Sequence, residues 1–214
     1  MEQQPELVDI EQVSSGWINK YVLVYELPDG SLYNYECASR KKLEKFRAGL
    51  ERRGSASRTA ADGRTSRNAD ASEAADAVCI VAKTPRDTLV MIREFRYPLN
   101  SWCIAFPAGL VDEGEDLAAC ARRELEEETG YSVVEGSEAK PLAQPGFSST
   151  GMTDETVHVV FVEADRAGEA HAEANELIEV FELPIADIRT FLDENALPIG
   201  TRAQLVLEMV AAGR

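Results

Sequence analysis

Residues 109–131 read GLVDEGEDLAACARRELEEETGY, from Gly109 to Tyr131. The first part is an acidic loop with two glycines, and the spacing predicts a helix over 116–129 that Gly130 terminates. Wound at 3.6 residues per turn, Glu124, Glu127 and Glu128 fall within an arc of roughly 100°. Ala118, Ala121 and Leu125 form the adjoining apolar stripe, while Glu126 points toward water. The arrangement is locally unfavourable. Like charges three and four residues apart repel, and they crowd the helix end where the dipole favours cations. Two carboxylates about 5 Å apart repel by about 1 kcal/mol in water and by about 3 kcal/mol at an effective dielectric of 20. Hard divalent cations such as Mg²⁺ or Mn²⁺, which take oxygen ligands, offset that repulsion. A solvated acidic face is the alternative. The apolar stripe, the acidic Gly loop and Arg123, placed to orient a carboxylate, weigh against it.

Outward from this helix, Trp17–Leu27 and Ser31–Ala38 are rich in β-branched and aromatic residues around Pro28-Asp29-Gly30, a hairpin pattern. A basic stretch, Arg40-Lys41-Lys42, leads into a short amphipathic piece ending at Leu50. From Glu51 to Ala77 the chain has no large apolar side chain, so residues 51–77 are expected to be a flexible insertion. Val78–Ala82 reads as a buried strand, with Thr88–Arg96 its antiparallel neighbour. Residues 157–162 and 178–183 are further strands. Two helices close the chain, one opening at Pro184 and the other at Thr201, where Gln204 completes a capping-box pattern. Strands, one helix, strands and terminal helices make a mixed α/β domain.

The chain has 214 residues, 44% of them hydrophobic, enough for a sizeable core. Lys+Arg 22 against Asp+Glu 38 gives a net charge of -16, which repels nucleic-acid backbones and anionic lipid, so neither nucleic acid nor membrane is an expected partner. The polar start Met1–Glu6 is not read as a secretion signal. Cys37, Cys79, Cys103 and Cys120 lack C-x-x-C spacing and are expected as reduced thiols in a cytoplasmic protein. His158 and His171 are too few and too separated for a zinc site. No G-x-S-x-G is present for a serine hydrolase.

The segment 109–131 resembles the Nudix hydrolase signature, G-x5-E-x7-R-E-U-x-E-E-x-G-U, with U a bulky aliphatic residue. Gly109, Glu115, Arg123, Glu124, Leu125, Glu127, Glu128 and Gly130 fill the fixed places and the first U, while Tyr131 departs mildly at the last. Phe106–Leu110, Arg93–Arg96, Gln144–Ser148 and Gly151–Glu155 look like the ADP-ribose (ADP-sugar) pyrophosphatase branch.

The resemblance implies a Nudix-type α/β/α sandwich with a mixed sheet over residues 78–214. An N-terminal antiparallel β-region, 1–50, would serve dimerisation and adenine binding. It implies Mg²⁺-dependent hydrolysis of ADP-ribose to AMP and ribose 5-phosphate by a homodimer acting on a small nucleotide sugar, with Mn²⁺ a possible substitute. Glu124 and Glu128 are then metal ligands, assisted by the backbone carbonyl of Ala108 and by Glu115 or Glu127, and Arg123 orients Glu127. Glu176 is the candidate general base, with Glu173 and Glu179 as alternates. Trp17 and Tyr35 match aromatic residues that sandwich adenine, though ordinary sheet packing is the plainer reading. Arg96 matches a phosphate contact, for which a salt bridge to the acidic cluster is the alternative, and Leu110 lies at the substrate. Another nucleoside diphosphate sugar such as UDP-glucose, a dinucleotide, or a module that senses ADP-ribose without cleaving it are the rival expectations.

Overall fold

A computed structural model describes residues 4–59, 75–172 and 175–213. The chain divides into two compact units, one comprising residues 1–74 with 146–156, the other residues 75–145 with 157–214. The segment 146–156 therefore groups with the N-terminal unit, outside the domain boundaries expected from the sequence.

In the N-terminal unit, β1 (Glu6–Gln12), β2 (Asn19–Glu26) and β3 (Leu32–Ser39) form an antiparallel sheet in the order β1-β2-β3. The hairpin between β2 and β3 turns at Gly30, whose φ of 81° suits a residue without Cβ. Trp17, read from the sequence as a strand residue, lies two positions before β2. The helix α1 (Leu43–Thr59) covers the sheet, with Phe46 stacked on Tyr21 at 4.4 Å beside Ile10 and Leu23. This corrects the expected insertion, because residues 51–59 are helical. Leu43, Phe46 and Leu50 anchor the helix, and Arg53 on its extension lies 5.7 Å from the Phe147 ring centre and 3.9 Å from Asp154, contacts that a reading of local apolar residues does not register. Residues 60–74 of the expected insertion lie outside the described residues, and at its far end Ala75 is buried and Ala77 already opens a strand.

The larger unit is organised by β4 (Ala77–Lys83), which is buried on both faces. Strand side chains alternate, so Ala77, Cys79 and Val81 enter one core while Val78, Ile80 and Ala82 enter another. Around it lie β5 (Thr88–Arg96), β6 (Ser101–Ala105), β7 (Ala108–Leu110), α2 (Leu117–Thr129), β8 (Tyr131–Val133) and β9 (Lys140–Pro141). After the short β10 (Gly146–Phe147), which belongs to the N-terminal unit, come β11 (Thr156–Arg166), β12 (Ile178–Pro184), α3 (Ile188–Glu194) and α4 (Thr201–Ala211). β4 runs parallel to β11 and antiparallel to β7, and β5 pairs antiparallel with β6 and β12. The sheet is mixed, as expected.

One core gathers Met91, Ile104 and Phe106 with Ile188 of α3 and Leu207 of α4. The other gathers Val90 and Val160 with Cys120, Ala121 and Leu125 of α2. These are the two helical layers of an α/β/α sandwich. Pro184 ends β12 instead of opening a helix, and a 3₁₀ turn, Ile185–Asp187, intervenes before α3. The expected capping box at Thr201 does not form. Gly200 is the N-cap, and its carbonyl accepts the Gln204 N–H as the first helical bond. Among the described residues no helix is long and apolar enough to cross a membrane.

A polar clasp holds one end of this sheet. Arg86 donates to Glu182 at 2.8 Å and to Asp165 at 2.9 Å, Tyr131 donates to Glu182 at 2.6 Å, and Thr88 donates to Glu182 as well. The Arg86 guanidinium first, then Thr88 and Tyr131, hold the Glu182 carboxyl down to about 2. In the unfolded chain that carboxyl titrates near the ordinary value of about 4.3. Its contribution is therefore complete above that value and is lost as pH falls toward 2. Glu182→Gln should destabilise the protein by about 1 kcal/mol at pH 7 and by little near pH 2. Denaturant unfolding across that range tests this, and equal losses at both ends would contradict it.

Candidate active site

The acidic helix is fixed at both ends. Asp116 caps the N-terminus, its carboxylate accepting the amides of Ala118 at 2.9 Å and Ala119 at 3.0 Å. Gly130 closes the C-terminus with φ 72°. A Cβ there would sit 2.5 Å from the Gly168 carbonyl oxygen, and the amides of Ala167 and Gly168 donate to the Gly130 carbonyl. His171 donates its amide to the Glu127 carbonyl at 2.7 Å, so the loop before β12 is tied to the last turn of α2.

Between these ends the carboxylates take different environments. Glu128 is only 5% exposed, and one carboxylate oxygen accepts the Ala108 amide at 3.0 Å. Burial pushes its carboxyl up to about 8 against that single bond, with the charges of Glu124, Glu94 and Glu176 adding to the rise. Burial also raises Glu124, opposed by Arg123. Gly109 of β7 lies directly beneath Glu124. A Cβ there would stand 1.9 Å from the Glu124 carboxyl carbon, so only glycine leaves the carboxylate its place.

Arg123 organises the rim. Its guanidinium grips Glu115 through both carboxylate oxygens, at 3.0 and 2.9 Å, and donates to Glu124 at 2.7 Å and to the Leu110 carbonyl at 3.1 Å. Glu127, the residue Arg123 was expected to orient, accepts at 3.3 Å, farther than either Glu115 or Glu124. The bidentate pair holds the Glu115 carboxyl down to about 2.

The structure also brings in Glu94 of β5, which sequence reasoning missed. Its side chain is 13% exposed, bonded to Arg96 at 2.9 Å, and burial raises its carboxyl, with Glu176 adding to the rise. The signal lay in strand alternation. Val90, Ile92, Glu94 and Arg96 share one face of β5, and Val90 on that face packs against α2. Arg96 is paired with Glu94 on its own strand, not with the glutamates of α2 that its alternative reading named.

Of the three carboxylates considered as base, Glu176 acts electrostatically on Glu94, Glu124 and Glu128. Glu179 is ion-paired with Arg93, its partner in the β12–β5 register, and Glu173 lies outside the described residues. Trp17 and Tyr35 belong to the N-terminal unit. Trp17 is 73% exposed. Tyr35 lines a cavity of about 410 Å³ with Tyr25, Phe46 and Phe147, and donates its hydroxyl to the Gly151 carbonyl at 2.7 Å.

The side chains that crowd Glu128 are carboxylates, and a buried carboxyl held that far above its ordinary value is one that a positive charge would return to its anionic form. That donor chemistry fits a hard divalent cation. Among the described residues no three acidic, His or Cys side chains converge at ligating distance as they stand. Glu124 and Glu115 are turned to Arg123 and Glu128 to the Ala108 amide.

The chain is similar to several characterised proteins. It is 38% identical over 133 residues to the ADP-sugar pyrophosphatase of Mus musculus, covering 56% of this chain and 58% of that one. It is 34% identical over 127 residues to the ADP-ribose pyrophosphatase of Saccharomyces cerevisiae, covering 57% and 55%. The chain thus spans little more than half the length of these curated relatives. A solved structure described as an ADP compounds hydrolase superposes with a TM-score of 0.68 at 19% identity, covering 100% of this chain and 95% of that one, which supports the same fold. The NUDIX domain model matches residues 73–202, a span that contains β4, the acidic helix and the whole carboxylate wall, and on that match the chain belongs to the NUDIX domain family.

Proposed function

We propose that this protein hydrolyses the diphosphate linkage of ADP-ribose or a related ADP-sugar, giving AMP and ribose 5-phosphate, with Mg²⁺ as its cofactor and Mn²⁺ as a possible substitute. The observation that carries the reading is the Glu128 carboxyl, 5% exposed and crowded by Glu94, Glu124 and Glu176, an arrangement whose repulsion calls for a cation. The names of the mouse and yeast relatives support the substrate class.

Glu124 and Glu128 would hold the cation, with the Ala108 carbonyl and Glu115 or Glu127 as further oxygen donors. Bound there, it supplies charge neutralisation for the diphosphate oxygens and polarisation of phosphorus. The protein's own groups do the rest. Glu176 takes a proton from the water that attacks phosphorus, while the bridging P–O bond breaks. Arg96 offers a forked donor to the diphosphate, with Glu94 holding it in place until then. Arg123 fixes Glu115 and Glu124, so the wall is set before substrate arrives. Leu110 lies at the substrate beside Gly109. Tyr35 and Trp17 present π-faces to the adenine, and the apolar cavity beside Tyr35 supports base recognition in that unit.

Val8, Trp17, Ile18, Leu32 and Tyr33 of the N-terminal unit are exposed apolar side chains, which supports association of two copies as a homodimer. Free Cys37, Cys79, Cys103 and Cys120 fit a reducing, cytoplasmic setting.

With Mg²⁺, a panel of nucleotide sugars should show ADP-ribose preferred. A preference for UDP-glucose would remove adenine stacking by Trp17 and Tyr35, and binding without turnover would favour the sensing alternative. Glu128→Gln should lower kcat at least about 100-fold with the fold intact, and a wild-type rate would contradict its assignment. Gly109→Ala, which puts a methyl group where the Glu124 carboxyl stands, should cut kcat/KM at least about tenfold. An unchanged kcat/KM would mean that the placement of Glu124 is not needed.

A further inference from the structure

Tyr97 follows β5 and opens a short 3₁₀ turn, Tyr97–Leu99, that Asn100 closes in the left-handed conformation. Its ring is 64% exposed, yet its hydroxyl donates to the backbone carbonyl of Asn175 at 3.1 Å, across 78 residues of sequence. That carbonyl belongs to the peptide joining Asn175 to Glu176. Two residues before Tyr97, the Phe95 amide donates to the Leu177 carbonyl at 3.0 Å. The two bonds bracket Glu176 and leave its backbone little freedom.

The ring that supplies the hydroxyl is itself fixed. Phe95 packs edge-on against Tyr97 at 5.4 Å and against Trp102 at 6.0 Å. The Arg93 guanidinium lies 5.5 Å from the Trp102 ring centre and is ion-paired with Glu179 of β12. An edge-to-face aromatic cluster of Trp102 on β6, Phe95 on β5 and Tyr97 in the turn thus reaches over to the segment that precedes β12. An exposed tyrosine whose hydroxyl meets a loop carbonyl contributes little to a core, and what it fixes is the loop.

We propose that Tyr97 is a positioning residue for Glu176. Its hydroxyl, held by the edge-to-face packing of Phe95 and Trp102, fixes the Asn175–Glu176 peptide and so directs the Glu176 carboxylate toward Glu94, Glu124 and Glu128. The inference rests on the reading of Glu176 as general base. Positioning of this kind affects the chemical step and leaves substrate binding alone.

The test is a double-mutant cycle of Tyr97→Phe and Glu176→Gln in the full chain, with ADP-ribose and Mg²⁺, alongside amide exchange at Phe95 in metal-free protein. Tyr97→Phe keeps the ring and its packing and removes only the hydroxyl. It should lower kcat about 3- to 10-fold with KM unchanged, and speed exchange at the Phe95 amide. In the Glu176→Gln background the same change should cost nothing more, because the group it positions is gone. A wild-type kcat for Tyr97→Phe, or the same fold-loss in both backgrounds, overturns the positioning role. A wild-type rate for Glu176→Gln itself would remove the base assignment and this inference together. A crippled Glu176→Gln beside an unimpaired Tyr97→Phe would remove the inference alone.

Discussion

A carboxylate withdrawn from water loses several kcal/mol of hydration, which one backbone hydrogen bond does not restore. Glu128 is in that position, with Ala108 as its donor and three further carboxyl groups, Glu94, Glu124 and Glu176, bearing on it. Burial brought this side chain beside its like-charged neighbours, and the wall is stable only if something neutralises it. At Glu128 itself, whose carboxyl burial pushes up to about 8, a proton can do so. The proposed cation does so with its charge retained at the surface the substrate meets.

The fold explains how such a wall is tolerated. β4 is apolar on both faces and anchors the sheet between two hydrophobic layers, and the layer under α2 includes Ala121 and Leu125, one helical turn before Glu124 and Glu128 respectively. Small residues permit close approach. Gly109 lets β7 pass under Glu124, and Gly130 lets the following loop close on the helix end. Arg123 then binds Glu115 in bidentate fashion and Glu124 by one bond, neutralising the outer part of the cluster and leaving the inner part exposed to its own repulsion.

Much of this was legible in the sequence, for particular reasons. The 3.6-residue period of Ala118, Ala121 and Leu125, and Gly130 behind them, placed α2 almost to the residue. The apolar run of β4 and the turn at Gly30 were equally local signals. What was missed depends on partners distant in sequence. β1 carries Glu6, Asp9 and Glu11 and reads as a polar tail until Ile10 meets Tyr21 and Leu23. The continuation of α1 past Leu50 runs through a stretch too polar to advertise a core, where Arg53 finds its partners in Phe147 and Asp154, about a hundred residues away in sequence. Pro184 was compatible with a helix start, but register with β5 extends β12 through it. Glu94 entered the wall because β5 alternates beneath α2, and Glu179 moved away because Arg93 lies opposite it. Alternation along β5 put Glu94 on the face of Val90, but which element covers that face, and which residue lies opposite Glu179, is not written in a local pattern.

The most direct test of the carboxylate wall is the melting temperature of metal-free protein before and after Mg²⁺ is added, for the wild type and for Glu124→Gln/Glu128→Gln. A protein of net charge -16 gains from general screening by any divalent ion, and that gain appears equally in both forms. Specific neutralisation of the wall predicts an additional rise of about 4 °C or more in the wild type alone. An identical response in the two proteins would contradict the claim that these carboxylates are crowded together to hold a cation.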